Sequence, residues 1–212
     1  MWRLGAEPTW NASTTVAARS VADLVVSARL DEVSLPPTFP DARPAAVLVA
    51  LVDGPEGAEV LLTKRSHDLR NHAGESSFPG GRIDGGETPT EAALREASEE
   101  VGLAPELVSV GGQLSPLSTV VSRSYIIPVL GVLDERPVLT PHDREVARIL
   151  WVPLRELADA ATYREEWWGT PPLDRRMDFF DLDDETIWGA TGRMLHEMLE
   201  LAYGPPATRT AP

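Results

Sequence analysis

One stretch constrains this chain more than any other: a helix with both ends written into the sequence. Thr88-Pro89-Thr90-Glu91 is a capping box with proline at the first helical position. Gly102 stands where a left-handed C-terminal glycine belongs. The helix is therefore expected over Pro89–Val101. At about 100° per residue, Ala93, Leu94, Ala97 and Val101 share a stripe that should face a core. Glu96, Glu99 and Glu100 share another, at i, i+3 and i+4. Like charges at that spacing cost a helix roughly 0.2–0.5 kcal/mol per pair, and Leu103 and Ala104 offer no base one turn further on. The cluster needs a neutralising partner. The chain has no cysteine, so any metal must sit on oxygen or imidazole. A hard divalent cation, Mg²⁺ or Mn²⁺, suits an all-oxygen set. The plainer alternative is a solvated acidic face. Two neighbours favour the cation. Phe78-Pro79-Gly80-Gly81 is a tight backbone element that can bring main-chain oxygens close. Glu87 and Arg95 supply a carboxylate and a base that can pair with a glutamate and aim it.

With 212 residues, the chain has a soft expectation of one or two domains. It carries 33 acidic and 19 basic residues, a net charge of −14, which excludes a nucleic-acid wrapper. No apolar run approaches the roughly 18 residues of a membrane span. Glu7 and Pro8 stand where a signal peptide would place its apolar core, so a cytoplasmic location is expected. Residues 1–34 read as a helical extension, with Val21, Leu24, Val25 and Ala28 as the apolar face of a helix over Val16–Leu30. The extension suggests a homodimer contact or a cap over the site. Pro36, Pro37, Pro40 and Pro44 then form a stiff linker. Residues 35–204 read as one domain, and 205–212 as a tail.

Within the domain, strands are expected at Ala45–Val52 and Glu59–Thr63, paired as a hairpin across Pro55-Glu56-Gly57. Further strands fall at Leu107–Leu114, Tyr125–Leu133, Ala147–Val152 and Met177–Leu182. A short helix is expected at Leu154–Ala160 and a C-terminal one at Ile187–Tyr203. Strands and helices that do not strictly alternate argue for an α+β fold, a mixed sheet between helices.

The motif residues complete a known pattern. Gly81, Glu87, Arg95-Glu96-Ala97, Glu99-Glu100 and Gly102-Leu103 stand at the spacings G-x5-E-x7-R-E-U-x-E-E-x-G-U and so resemble the Nudix box. Ala97 is smaller than the usual aliphatic, a change on the core face that touches no ligand. Upstream, Leu61-Leu62-Thr63-Lys64-Arg65-Ser66, Arg70, Gly74 and Phe78-Pro79-Gly80-Gly81 resemble the additional signature of the coenzyme A pyrophosphatase subgroup. Ile187-Trp188-Gly189-Ala190-Thr191 resembles that subgroup's C-terminal segment. The resemblance spans about Ala45 to Leu201.

It implies a Nudix α/β/α sandwich that cuts coenzyme A or acyl-CoA at the pyrophosphate, giving 3′,5′-ADP and 4′-phosphopantetheine or its acyl form. It implies Glu96, Glu99 and Glu100 as metal ligands with the Gly80 carbonyl, and Arg95 as the residue that orients a glutamate. The water's proton then needs a carboxylate: Glu96 first, Glu145 in a downstream loop second. Arg65 and Arg70, with His72 and Gly81 beside them, are expected to hold the substrate, since guanidinium forks suit phosphates. His67, His142 and His196 are read as structural or solvent-exposed. Trp167-Trp168 and Phe179-Phe180 either wall an adenine or pantetheine pocket or pack as core. Two alternatives stand beside this reading. One is a Nudix hydrolase of another nucleoside diphosphate derivative such as ADP-ribose. The other is a non-catalytic nucleotide-binding domain.

Overall fold

The computed structural model describes residues 2–29, 36–67 and 73–204. Arg70, His72 and the tail 205–212 lie outside them. The larger of two sheets is built on β2 (Arg43–Gly54) and β3 (Gly57–Arg65), an antiparallel hairpin. β8 (Ser124–Leu133) runs parallel to β2 from Arg43 opposite Ser124 to Val52 opposite Leu133. β9 (Val146–Pro153) lies along β3, while β4 (Ser76–Ser77) and β5 (Gly80–Arg82) fill the other side of β3 and of β2. β6 (Ser109–Gln113) and β7 (Leu117–Ser118) pair with β8. The sheet is mixed, as expected.

β2 is apolar almost throughout because both its faces are covered. Ala46, Leu48, Ala50 and Val52 belong to a core shared with Ala93, Ala97 and Val101 of α2 (Pro89–Val101). Val49 and Leu51 belong to a second core, shared with Val21 and Val25 of α1 (Ala18–Arg29) and with Leu195, Met198 and Leu199 of α4 (Gly189–Tyr203). Helices thus lie on both faces of the sheet.

α1 differs from its expected face. Val21 and Val25 are fully buried, worth roughly 1.5–3 kcal/mol each. Their partners in the core are Ala18 and Ala22, while Leu24 is 42% exposed and Ala28 is exposed too. The tight approach to β6 decides this: a Cβ on Gly111 would stand 3.0 Å from the Ala22 methyl, a gap that only small residues fit. α1 sits across the sheet from α2, so it does not cap the acidic helix. Ahead of it, Trp10 is buried and donates its indole N–H to the Ala158 carbonyl at 3.1 Å. Ala158 follows the short helix α3 (Leu154–Leu157).

A second sheet, of order β1-β10-β11-β12, is wholly antiparallel: β1 (Trp2–Leu4), β10 (Tyr163–Trp168), β11 (Arg175–Asp181) and β12 (Thr186–Ile187). Of these only β11 was expected. β10 is half charged, and β1 exists only because Trp2 meets Trp168 across nearly the whole chain. Ile187, expected in the C-terminal helix, pairs with Phe180 instead, and α4 begins at Gly189.

Candidate active site

α2 is built as its sequence requires. The Thr88 hydroxyl accepts the Glu91 N–H, and the Glu91 carboxylate accepts the Thr88 N–H at 2.8 Å. Gly102 is left-handed, φ 68°, and its N–H returns to Ser98. The stripe of Ala93, Ala97 and Val101 is fully buried. With that stripe fixed, the glutamate stripe turns toward β5 and the end of β3.

Glu100 is the most withdrawn of the three, 6% exposed, and accepts the Gly80 N–H at 3.3 Å. Burial pushes its pKa up to about 7; Arg65 and the Gly80 N–H oppose the rise, and Glu96 and Glu145 add to it. Burial also raises Glu96, against a hydrogen bond from Arg95 at 3.0 Å. Glu99 is open to solvent and meets the same guanidinium at 3.3 Å. Arg95 further donates to both Glu87 oxygens, at 2.7 and 3.2 Å, and to the Arg82 carbonyl at 3.0 Å. The Glu87 bond, first among these, holds its pKa above the usual guanidinium value, and Glu87 is held below the usual carboxylate range in return. One cation therefore neutralises part of three carboxylates, more than the single pairing expected of it. Its sequence position between Glu87 and Glu99 was the signal for that.

The glycines ahead of the helix act by having no side chain. A Cβ on Gly81 would stand 2.4 Å from the Glu96 carboxylate, and one on Gly80 would stand 2.4 Å from the Ala46 carbonyl of β2. Gly81 thus makes the space that Glu96 fills. Arg65 ends β3 beside this group, its charge felt at Glu100, with a buried Nε that has no hydrogen-bond partner among the described residues. Glu145 immediately precedes β9, and its charge raises the pKa of both Glu96 and Glu100. Glu96, Glu99, Glu100, Arg95, Arg65, Glu145, Gly80 and Gly81 therefore converge from α2, the end of β3, β5 and the residue ahead of β9.

Among the described residues, no three His, Asp or Glu side chains are arranged to hold a metal ion as they stand. The donor set itself fits a hard divalent cation. It is all oxygen, and burial makes the charged form costly at two of its three carboxylates, a cost that a bound cation would offset. Glu99 would join them by rotating away from Arg95 at an open position.

The aromatic pairs go elsewhere. Phe180 is core. Trp168, Phe179 and Trp188 form a cluster on the outer face of the second sheet, ring centroids 5.8–6.3 Å apart, with the Arg164 guanidinium 4.1 Å over Phe179. His196 is buried among Trp10, Tyr163 and Asp178. One polar group had no motif to announce it: Glu185, buried against Lys64, Ser76 and Arg148. It lies in the run Asp183-Asp184-Glu185, which reads as an acidic turn.

The NUDIX domain family profile matches residues 42–171. The chain is 36% identical over 178 residues to "Uncharacterized Nudix hydrolase NudL" of Pectobacterium atrosepticum, covering 79% of this chain and 88% of that protein. It is 40% identical over 179 residues to "Nudix hydrolase 22, chloroplastic" of Arabidopsis thaliana, covering 78% of this chain and 57% of the plant protein. Among solved structures, the Nudix hydrolase RenU of M. smegmatis is similar at a TM-score of 0.48 and 30% identity, over 55% of this chain and 74% of that one.

Proposed function

The chain belongs to the Nudix hydrolase family, and from that premise we propose that it cuts the pyrophosphate bond of coenzyme A or an acyl-CoA. Membership makes it a hydrolase of a nucleoside diphosphate derivative, in a family that generally uses divalent ions. The finer reading rests on one observation. The upstream signature beginning at Leu61 and ending at Gly81 leads the chain through Arg65 to Glu100 and Glu96. A site that holds cations thereby adjoins a guanidinium with a buried, unpartnered N–H, which is the pairing a phosphate-rich substrate calls for.

Glu96, Glu99 and Glu100 would hold the divalent ion together with the Gly80 carbonyl. When bound, it neutralises the pyrophosphate oxygens and acidifies water. The rest falls to this chain's residues. Arg95 keeps Glu96 turned inward. Arg65, joined by Arg70, binds phosphate oxygens and holds the linkage in place, so that catalysis is mostly positioning and charge stabilisation. Glu96 takes the attacking water's proton, with Glu145 as the second candidate. The water oxygen bonds to phosphorus as the bridging P–O bond breaks.

The test is a product assay by mass spectrometry with coenzyme A and ADP-ribose in competition, in Mg²⁺ or Mn²⁺ and then in chelator. Metal-dependent release of 3′,5′-ADP and 4′-phosphopantetheine is expected. Cleavage of ADP-ribose alone would sink the coenzyme A assignment and keep the acidic-helix chemistry. Cleavage of neither would overturn the proposal.

A further inference from the structure

Lys64 is the chain's only lysine, and the sheet gives it an awkward neighbour. On β3 it stands directly opposite Arg148 of β9 and directly opposite Ser76 of β4. Directly opposed residues point to the same face, and like charges so placed destabilise a sheet. The opposing charge comes from the other sheet. Glu185, in the turn between β11 and β12, is 6% exposed. Its Oε1 accepts Lys64 at 2.6 Å and Arg148 at 2.9 Å, and its Oε2 accepts the Ser76 hydroxyl at 3.0 Å. One carboxylate thus ties three adjacent strands, and Asp184 accepts a second N–H of the Arg148 guanidinium at 2.5 Å.

The next residue pair is where the sheet breaks register. Lys64 faces Arg148, but Arg65 faces Val146, so Ala147 is opposite no residue. Such a slip bends a strand and re-aims the side chains beside it. Both groups that leave the slip enter the candidate active site: Arg65 on one strand and Glu145 on the other. Their backbones are joined across it, the Ser66 N–H to the Glu145 carbonyl at 2.8 Å. Glu185 therefore grips the last regular pair before the irregularity.

We infer that Glu185 is a positioning residue: by clamping Lys64, Ser76 and Arg148 it fixes the register slip that turns Arg65 toward Glu100. The inference rests on the proposed reading only in giving Arg65 a phosphate to hold, and it makes no use of which nucleoside diphosphate derivative is cleaved. Glu185 touches no substrate; it acts through Arg65.

The probe is methylene diphosphonate, a non-hydrolysable analogue of the pyrophosphate that every candidate substrate contains, titrated calorimetrically in Mg²⁺ into the full chain. Glu185→Gln keeps the shape and removes the charge. It is expected to weaken binding about tenfold, the scale of losing a charged hydrogen bond's support. Arg65→Ala should weaken it at least as much, and the double variant should be no worse than Arg65→Ala alone, since Glu185 acts only through that side chain. Ser76→Ala, which leaves every charge in place, should show a smaller loss in the same direction and guards against a misfolded Glu185→Gln. On whichever nucleotide is turned over, KM should rise and kcat stay within about threefold. Wild-type binding in both Glu185→Gln and Ser76→Ala would overturn the inference. So would independent, multiplying losses in the double variant, because a merely structural role lowers the melting temperature without coupling to Arg65. Cleavage of ADP-ribose in place of coenzyme A would change the substrate and leave this cycle as it stands.

Discussion

Gly80 and Gly81 are adjacent, and alanine at either would meet an atom 2.4 Å away. The atoms differ in kind. At Gly80 the obstacle is the main chain of β2, which cannot yield without breaking a pairing. Gly80→Ala should therefore cost about 1–3 kcal/mol of stability, the usual price of overpacking, read from urea unfolding. At Gly81 the obstacle is the tip of the Glu96 side chain, which can swing aside. Gly81→Ala should keep its melting temperature within a few degrees and lose at least about tenfold in kcat, because Glu96 is pushed out of the site. Equal stability losses at the two positions would contradict this division. The Nudix-box glycine was legible as a residue; its purpose was not, because sequence spacing does not say which side chain a missing Cβ makes room for.

At the scale of elements, α2 was readable from Thr88 to Gly102 because every signal that bounds it is local: a cap, a proline, a left-handed glycine and an apolar stripe. Thr88→Ala should lower stability by about 0.5–2 kcal/mol in thermal unfolding, with both ends of the helix otherwise intact. An unchanged melting temperature would show the capping box to be idle. β10 had no comparable signal. Its Arg164 and Glu165 are strand residues because Asp181 and Arg176 pair with them from β11, Glu166 is paired with Arg164 along the strand, and Tyr163 reaches Asp178 at 2.9 Å. β1 has three residues and no periodicity to read. Glu185 likewise depends on residues 37 and 121 positions away, a distance at which no spacing rule operates. In this chain, the motif residues and the helix that carries them were legible, and the sheet that supports Arg65 from behind was not.

For the whole molecule, the buried charge network beneath α4 sets how folding answers to pH. His196 faces Asp178 at 3.5 Å, Glu200 at 3.3 Å, and the charges of Arg176 and Arg193. Burial pushes its pKa down to about 4, from 6.5. The unfolded chain therefore takes this proton first. The contribution of His196 is complete above pH 6.5, declines as the pH falls, and is fully lost near pH 4. Asp178, whose carboxyl burial raises, protonates more readily in the folded chain and returns part of that loss at the acid end. His196→Phe keeps a ring against Trp10 and Tyr163 and does not titrate. Urea unfolding of the two proteins between pH 7.5 and 4.5 should show wild type losing ground relative to the variant; parallel curves would refute the assignment.

β2 has a consequence that reaches past the site. Alternate residues of this one strand belong to different cores, one under the acidic helix and one under α1 and α4. Neither core can be dissolved without stripping half the side chains from a strand the other needs. The two layers must therefore melt together. A ligand gripped at α2 will be registered by amides in α4 on the far side of the sheet, which exchange their hydrogens only when the common strand lets go.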